Sequence, residues 1–233
     1  MKKGLFVLLA VLVITMTSAW AMEHEAKLYV VHGIPGIDLG LDLDLAVDIS
    51  VNGACALTDF KFKDVAGPIM LAPGEYDIAI GLANPASPCS EDPVLEATVP
   101  LYAGETCTVI AHLTEDGGIT ASKFTHDVSP IKDKARIAIH HTANAPDVDF
   151  MGQRMFGAKT PMVWVPEISN GDKFSIELQQ KGWLFQLYPA YVDTVVTQKL
   201  FNLRIWEGMY IFAVGSLANN TFDWVWIRIG GLK

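Results

Sequence analysis

Four aspartates at even positions form the first pattern in this sequence that could do chemistry. In GIDLGLDLDLAVDISV (36–51), Asp38, Asp42, Asp44 and Asp48 alternate with leucine, valine and isoleucine. Calcium takes roughly six to eight oxygen ligands at about 2.4 Å, whereas alternate carboxylates on a flat strand lie about 6.6 Å apart. Two interpretations stay open: a curled loop binds calcium through Asp38, Asp42 and Asp44, or these residues form the solvated face of a strand.

Histidine and aspartate occur together a second time, in HHTANAPDVD (140–149). His140 and His141 are adjacent, so on a strand they point to opposite faces and cannot share one metal without a bulge. Asp149 follows a turn. We therefore expect His140 and Asp149 to stabilise a turn rather than to bind metal.

Nucleophilic and phosphate-binding motifs are missing from the sequence. It has no Gly-x-Ser-x-Gly elbow, no glycine-rich phosphate loop and no Cys-x-x-Cys pair. Cys55 and Cys89 lie in turn-rich segments, whereas Cys107 lies in an apolar strand pattern. These observations predict a non-enzyme with a Cys55–Cys89 disulfide and a free core thiol at Cys107.

The sequence pattern predicts that β-strands position these residues. Short alternating runs such as KLYVVH, YDIAIGL, TCTVIAHL and FDWVWIRI recur between glycine- and proline-rich turns. Helical periodicity is nearly absent after the first 21 residues. The pattern predicts an all-β chain.

The chain also repeats itself, which predicts two copies of one fold. LYVVH (28–32) is matched by RIAIH (136–140) at an offset of 108, so His32 corresponds to His140, and Asp48 corresponds to Asp149. Two later segments, 71–78 and 101–109, are matched by 169–176 and 205–213. Because a residue present in both copies more often serves the fold, all four paired residues are assigned structural turn roles.

The first 21 residues have the pattern of a secretory signal peptide. Lys2 and Lys3 precede an apolar run, and Ala19-Trp20-Ala21 fits a cleavage site. Cleavage would remove 21 of 233 residues to leave 212, and would change the formal charge from −9 to −11. The expected organisation is signal peptide 1–21, first domain 22–126, linker 127–134 and second domain 135–233. An acidic exported chain is not expected to bind nucleic acid, and no membrane span is expected after cleavage.

The segment RIAIHHTANAPDVD resembles the opening signature of the domain-of-unknown-function 4397 family. The matching positions are His140, Thr142, Asn144, Pro146, Val148 and Asp149, whereas Ala143 replaces a usual proline. The first copy matches more loosely, through His32, Pro35, Val47, Asp48 and Asn52-Gly53, with an insertion before Val47. The resemblance implies tandem immunoglobulin-like antiparallel β-sandwiches in exported or surface proteins, and it implies no reaction.

Aromatic residues are concentrated in the second copy. In FDWVWIRI, alternation places Phe222, Trp224, Trp226 and Arg228 on one strand face and Val225, Ile227 and Ile229 on the other. One face belongs to the core, and the other must be covered or adhesive. Four interpretations of the aromatic residues, which include Trp183 and Trp206, stay open. They form the core, an interface between the domains, a contact between copies, or a platform for sugar rings or a protein partner.

These patterns lead to one functional expectation with two alternatives. The first is a non-catalytic periplasmic or secreted binding or assembly module without a cofactor, acting through a protein partner or self-association. The second is a small-ligand or carbohydrate binder that uses the aromatic face of the second domain. The third is a calcium-dependent adhesion module that uses the aspartate-rich insertion.

Overall fold

A computed structural model describes residues 25–42, 46–155 and 162–233. The predicted signal peptide and Asp44 lie outside the described residues. Among the residues that are described, no helix is both long and apolar enough to cross a membrane.

The first half of the chain forms a sandwich of two four-stranded sheets. Its inner sheet has the order β4-β1-β7-β8 and its outer sheet the order β3-β2-β5-β6. The strands are β1 (Ala26–His32), β2 (Val47–Val51), β3 (Ala54–Phe60), β4 (Val65–Leu71), β5 (Gly74–Leu82), β6 (Pro93–Leu101), β7 (Thr106–Leu113) and β8 (Ile119–Thr125).

The second half repeats this topology strand for strand. Its inner sheet has the order β12-β9-β15-β16 and its outer sheet the order β11-β10-β13-β14. The strands are β9 (Ala135–His141), β10 (Val148–Arg154), β11 (Met162–Ile168), β12 (Lys173–Leu178), β13 (Lys181–Pro189), β14 (Thr197–Leu203), β15 (Glu207–Val214) and β16 (Asp223–Gly230).

The predicted class, an all-β chain with two tandem sandwiches, is confirmed. One detail differs from a purely antiparallel sandwich, because β1 pairs with β7 and β9 with β15 in parallel. The domain limits at 22–126 and 135–233 stay a prediction.

Strand pairing corrects the register of the repeat. Leu28 pairs with Cys107, and Ile137 pairs with Met209 in the equivalent strands. Matching backbone bonds fix the correspondence, because the N–H groups of His32 and His141 donate to the carbonyl oxygens of Asp64 and Asp172. Ile137 is therefore the counterpart of Leu28, at an offset of 109 rather than 108. The true counterpart of His32 is His141, and His140 lies on the opposite strand face.

Two further correspondences change for the same reason. Segments 71–78 and 169–176 were matched across non-equivalent strands, because β4 corresponds to β12 and β5 to β13. Segments 101–109 and 205–213 belong to equivalent strands, but the match is shifted by two residues, since Cys107 corresponds to Met209. Apolar residues recur at every second position of a strand, so a shift of two preserves the pattern.

The two sandwiches pack against each other through their inner sheets. A buried apolar cluster joins Tyr29, Val31, Ile110 and Phe124 of the first to Ala138, Tyr210, Phe212, Val214, Val225 and Ile227 of the second. Strands β7, β9 and β15 are therefore buried on both faces, with one face toward their own core and the other toward this interface, where β7 and β9 also place the polar residues Thr108, His112 and His140. This double burial explains the nearly continuous apolar runs in their sequences.

Candidate functional site

Strand β16 does not present its aromatic residues as a free platform. Trp224 is only 2% exposed and lies in the core of the second sandwich, with Phe222 packed at the edge of that core. Trp226, two residues further, is 38% exposed, and its ring meets that of Phe201 edge-on. The opposite face of β16, with Val225, is covered by the first sandwich. Of the four interpretations, core and inter-sandwich interface describe this strand.

The remaining residues of the predicted aromatic surface are also engaged within the fold. Trp183 is 2% exposed and donates its indole N–H to the carbonyl oxygen of Gln179. Arg228 Nη1 lies 3.1 Å from a carboxylate oxygen of Glu207, forming an ion pair. Trp206 is half-buried under the amine of Lys233, 4.8 Å from its ring centre.

The aspartate-rich insertion begins with a 3-10 helix, Gly36–Leu39. Asp38 accepts hydrogen bonds from Asn219 and Thr221 of the second sandwich, each at 2.6 Å. Asp42 is exposed. Within the described ranges, no group of three or more histidine, cysteine, aspartate or glutamate side chains is arranged to hold a metal ion. Calcium binding that includes Asp44 stays a prediction.

Asp48 and Asp149 occupy equivalent positions and make the same kind of contact. Asp48 is 3% exposed and accepts backbone N–H bonds from Asp59, Asn84 and Cys89. Burial alone would raise the pKa of Asp48, but these three donors hold that pKa below its usual value. Asp149 accepts one such bond, from Glu167, at 2.8 Å. In both sandwiches the carboxylate spans a bulge between the first two strands of the outer sheet.

His140 and His141 have different roles, because the corrected register places them on opposite faces of β9. His141 donates from Nε2 to the carbonyl oxygen of Pro146, in the turn that follows its own strand. His140 does not contact its own turn, because it faces the inter-sandwich interface and donates from Nδ1 to the Ile211 carbonyl oxygen in β15. Burial lowers the pKa of His140 to about 3 and that of His32 to about 4.

The cysteines lie as predicted. Cys55 and Cys89 form a disulfide with their Cα atoms 5.7 Å apart. Cys107 is a free thiol in the core of the first sandwich. Burial raises its pKa to about 11, so at neutral pH it is an unreactive thiol.

The candidate functional site is a surface on the outer sheet of the second sandwich, which we call the outer face. Its side chains alternate with those that enter the core. Three of them are strongly exposed: Met162 at 63%, Leu200 at 61% and Trp164 at 48%. The outer face consists of Met151, Gln153, Met162, Trp164, Leu184, Gln186, Tyr188, Gln198 and Leu200.

Strand register orders the outer face into cross-strand rows. Gln153 lies between Met162 and Leu184, and Leu184 in turn faces Leu200. In the neighbouring row, Gln186 Nε2 donates to the side-chain oxygen of Gln198 at 2.8 Å. Gln186 and Gln198 thus satisfy each other by hydrogen bonding. The apolar side chains of the outer face remain available for contact with a partner.

The nine side chains of the outer face are uncharged near pH 7. One carboxylate borders them, because Asp149 lies on the same face of β10 as Met151 and is paired with Tyr188. The outer face therefore offers no acid–base pair or nucleophile of the usual kind. What it offers is apolar contact area, with methionine, tryptophan and tyrosine, the residue types enriched at protein interfaces.

The first sandwich provides an internal comparison. Its equivalent sheet carries Ser50, Asp77 and Ala79 where the outer face has Met151, Leu184 and Gln186. Asp77 faces Thr98 and accepts its hydroxyl at 2.8 Å. This is an ordinary solvated sheet surface. The apolar character of the outer face is thus specific to the second sandwich.

Sequence reasoning missed most of the outer face, although a signal was present. In MVWVPEI (162–168), Met162 and Trp164 alternate with Val163 and Val165, so both faces of β11 are apolar. In β13, Leu184 and Tyr188 likewise alternate with Trp183 and Leu187. The same two-sided apolar pattern occurs in β16. There the face with Val225 and Ile227 is covered by the other sandwich.

Comparison with known proteins places the chain in a family. A family model described as "Domain of unknown function (DUF4397)" matches residues 26–151. The chain belongs to this family, as the sequence resemblance predicted. No curated protein matches the chain significantly.

Similarity to solved structures is low. The Bacillus anthracis TIE protein is 14% identical with a TM-score of 0.24; the match covers 83% of this chain and 33% of that one. This chain thus spans about a third of that protein's length. A protein described as a "putative cell adhesion protein from Bacteroides ovatus" is 9% identical with a TM-score of 0.29, covering 86% and 95% of the respective chains. At such scores neither carries an argument about this chain.

Proposed function

We propose that this chain is a non-catalytic, exported assembly protein whose copies associate through the outer face of the second sandwich. Export is supported by the signal-peptide pattern of residues 1–21, and the Cys55–Cys89 disulfide is compatible with an oxidising compartment. The outer face itself carries the proposal. Clustered exposed apolar side chains mark interaction sites more often than scattered ones do, and Met162, Trp164 and Leu200 are all strongly exposed on this one face.

Charge supports a second copy as the occupant. Two copies with a formal charge near −11 repel each other over most of their surface. Apart from the Asp149 carboxylate at one end of β10, the outer face is uncharged, so contact centred on Leu184 and Leu200 avoids burying like charges. A twofold arrangement places the same patch on both partners, so an apolar, self-complementary surface suffices.

The chain itself illustrates this mode of contact. The inner sheets of the two sandwiches, which share one topology, cover each other on the side away from their own cores through an apolar cluster and buried polar residues such as His126 and His140. The outer face is a further apolar sheet surface in the second sandwich. Packing of two sheets face to face is a common arrangement with a spacing of about 10 Å.

The experiment exchanges one cross-strand pair for its counterpart in the first sandwich. Leu184→Asp with Leu200→Thr recreates the Asp77–Thr98 pair. Light scattering on the purified protein should give a dimer or larger mass for wild type and a monomer for this variant. Leu184→Ile with Leu200→Ile keeps the surface apolar and should keep the mass. The proposal fails if wild type is monomeric at high concentration, or if the Asp/Thr variant retains the assembled mass.

One observation favours a second candidate function, carbohydrate binding. The rings of Trp164 and Tyr188 lie 5.6 Å apart on the outer face, within reach of one sugar. Their planes are inclined by 46°, which suits a single stacked sugar ring less well than two coplanar rings. Glycan binding that is lost in Trp164→Ala, measured on a monomeric wild type, would support this function over assembly.

A further inference from the structure

The cores of the two sandwiches differ in side-chain volume at equivalent positions. The register of the strands pairs four aromatic residues of the second core with smaller residues in the first, whereas Trp183 corresponds to Tyr76, and Phe60 of the first core corresponds to Ile168 of the second. The four pairs are Phe150 with Ile49, Phe185 with Ile78, Phe201 with Val99, and Trp224 with Ala121. The second core is filled by interlocking rings, whereas the first is built almost entirely from aliphatic side chains.

A cavity lies between the two sheets of the first sandwich, and two of the smaller residues, Ile49 and Ile78, line it. Its volume is about 210 Å³, and its lining is aliphatic except for His32. A smaller space of about 40 Å³ continues on the other side of His32 toward the 3-10 helix. A cavity of about 150 Å³ with aliphatic and aromatic walls is known to admit benzene, so the larger space can hold a small apolar group.

The cavity lies along the strands and reaches one edge of the sandwich. On β2 its lining extends from Val47 to Val51, a length of about 13 Å. Edge strands β6 and β8 meet on one side of the sandwich, whereas edge strands β3 and β4 make little direct contact on the other. Leu57 and Ile69, which line the cavity from β3 and β4, are only half-buried. The gap between these two strands provides an entry path.

His32 is the polar element of the cavity. The residue is 5% exposed, and its Nδ1 atom has no hydrogen-bond partner. Its ring lies 6.4 Å from that of Phe60, between the larger and the smaller space. An unpaired buried ring nitrogen is costly unless a bound group supplies a hydrogen bond. The low pKa of His32 keeps the imidazole uncharged at neutral pH, which suits a hydroxyl better than a carboxylate.

We infer that the first sandwich binds an unbranched alkyl chain between its two sheets, with an uncharged polar end at His32. The aliphatic walls, the elongated shape and a thickness of about one side-chain layer fit a single chain better than a fused ring. The matching source is a free long-chain alcohol, because the polar end of a phospholipid acyl tail carries a charged headgroup that cannot be buried beside His32. This inference is independent of the outer face.

The test is a titration of the purified protein with 1-octanol, 1-decanol and 1-dodecanol, followed by thermal melting and calorimetry. Each added methylene that enters the cavity should raise affinity about fourfold until the space is full. Sodium decanoate should bind at least tenfold more weakly than 1-decanol, because a carboxylate would lose its hydration. Short-chain phosphatidylcholine below its micelle concentration tests the lipid source and should bind more weakly than 1-decanol, because its headgroup is charged.

A filled-cavity variant makes the test specific. Ile49→Phe with Ile78→Phe installs two rings of the second core and should weaken decanol binding at least tenfold while keeping a cooperative melt. If the double variant does not fold, the single variant Ile49→Phe is used as the filled-cavity variant instead. Leu200→Thr, on the outer face, should bind decanol like wild type. The inference is overturned if no alcohol binds saturably, or if the filled variant binds equally well; tighter decanoate binding would overturn the role of His32.

Discussion

Leu184 and Leu200 face each other across β13 and β14, at the register position where Asp77 and Thr98 face each other in the first sandwich. The same fold thus presents an apolar pair on one copy and a hydrogen-bonded polar pair on the other. Neither pair is needed to close a core. An apolar pair on the outer sheet of the second sandwich is what the proposed assembly requires.

Trp224 and Trp226 should respond very differently to truncation. Trp224→Ala removes a side chain that is 2% exposed and should lower the free energy of unfolding by about 3–5 kcal/mol. Trp226→Ala removes a partly exposed ring beneath the Lys199 amine and should cost about 1 kcal/mol. Urea unfolding measures both. Equal losses would contradict the placement of Trp224 in the core.

Asp48 should contribute more to the free energy of unfolding than its equivalent, Asp149. Asp48→Ala leaves three backbone N–H groups without their acceptor and should cost about 3 kcal/mol or more. Asp149→Ala removes one more exposed bond and should cost about 1 kcal/mol. Denaturant titration of the two variants side by side checks the order, and a larger loss for Asp149→Ala would contradict it.

Stability should fall on mild acidification because buried histidines resist protonation. Burial lowers the pKa of His126 and His140 to about 3 and that of His32 to about 4, whereas the unfolded value is about 6.5. Below pH 6.5 the unfolded chain therefore binds more protons than the native one, and stability decreases with falling pH. Each histidine contributes up to about 1.4 kcal/mol per pH unit. Stability curves between pH 6.5 and 5 should flatten in His126→Gln; an unchanged slope would contradict the assignment.

The inter-sandwich interface should make the two halves unfold together. Phe212 is fully buried there and stacks on the ring of His140 at 4.4 Å. Wild type should show one calorimetric transition. Phe212→Ala should lose about 3–5 kcal/mol and split the transition as the sandwiches uncouple. Two separate transitions in wild type would contradict a tightly coupled pair.

Repeated segments predict the duplicated fold, and the turn-rich contexts of Cys55 and Cys89 predict their disulfide. Alternation predicts the strands, and it places Trp224 and Trp226 on one strand face. It could not say which face of β16 enters the core, because Val225 and Ile227 on the other face are equally apolar. That choice depends on a second sandwich packing against the strand, which is information from residues far away in sequence.

The strand register of the repeat was the second feature that the sequence alone did not determine. Matching His32 to His140 preserved residue type but reversed the strand face, since a shift of one residue does so. Asp48 and Asp149 were matched without error because each caps a bulge, a feature that tolerates no shift. The cavity was not visible from sequence at all. Two residues that line it, Ile49 and Ile78, stand where the second core has Phe150 and Phe185, a correspondence that only the strand register reveals.

The most direct test of the central claim is the oxidation rate of Met162, measured by mass spectrometry as protein concentration increases. Met162 is 63% exposed on the outer face, and Met70, 44% exposed on the first sandwich, is the internal control. If copies associate through the outer face, Met162 oxidation should slow several-fold at high concentration while Met70 oxidation stays constant. If the two methionines keep a constant ratio at every concentration, the outer face is not the contact surface between copies.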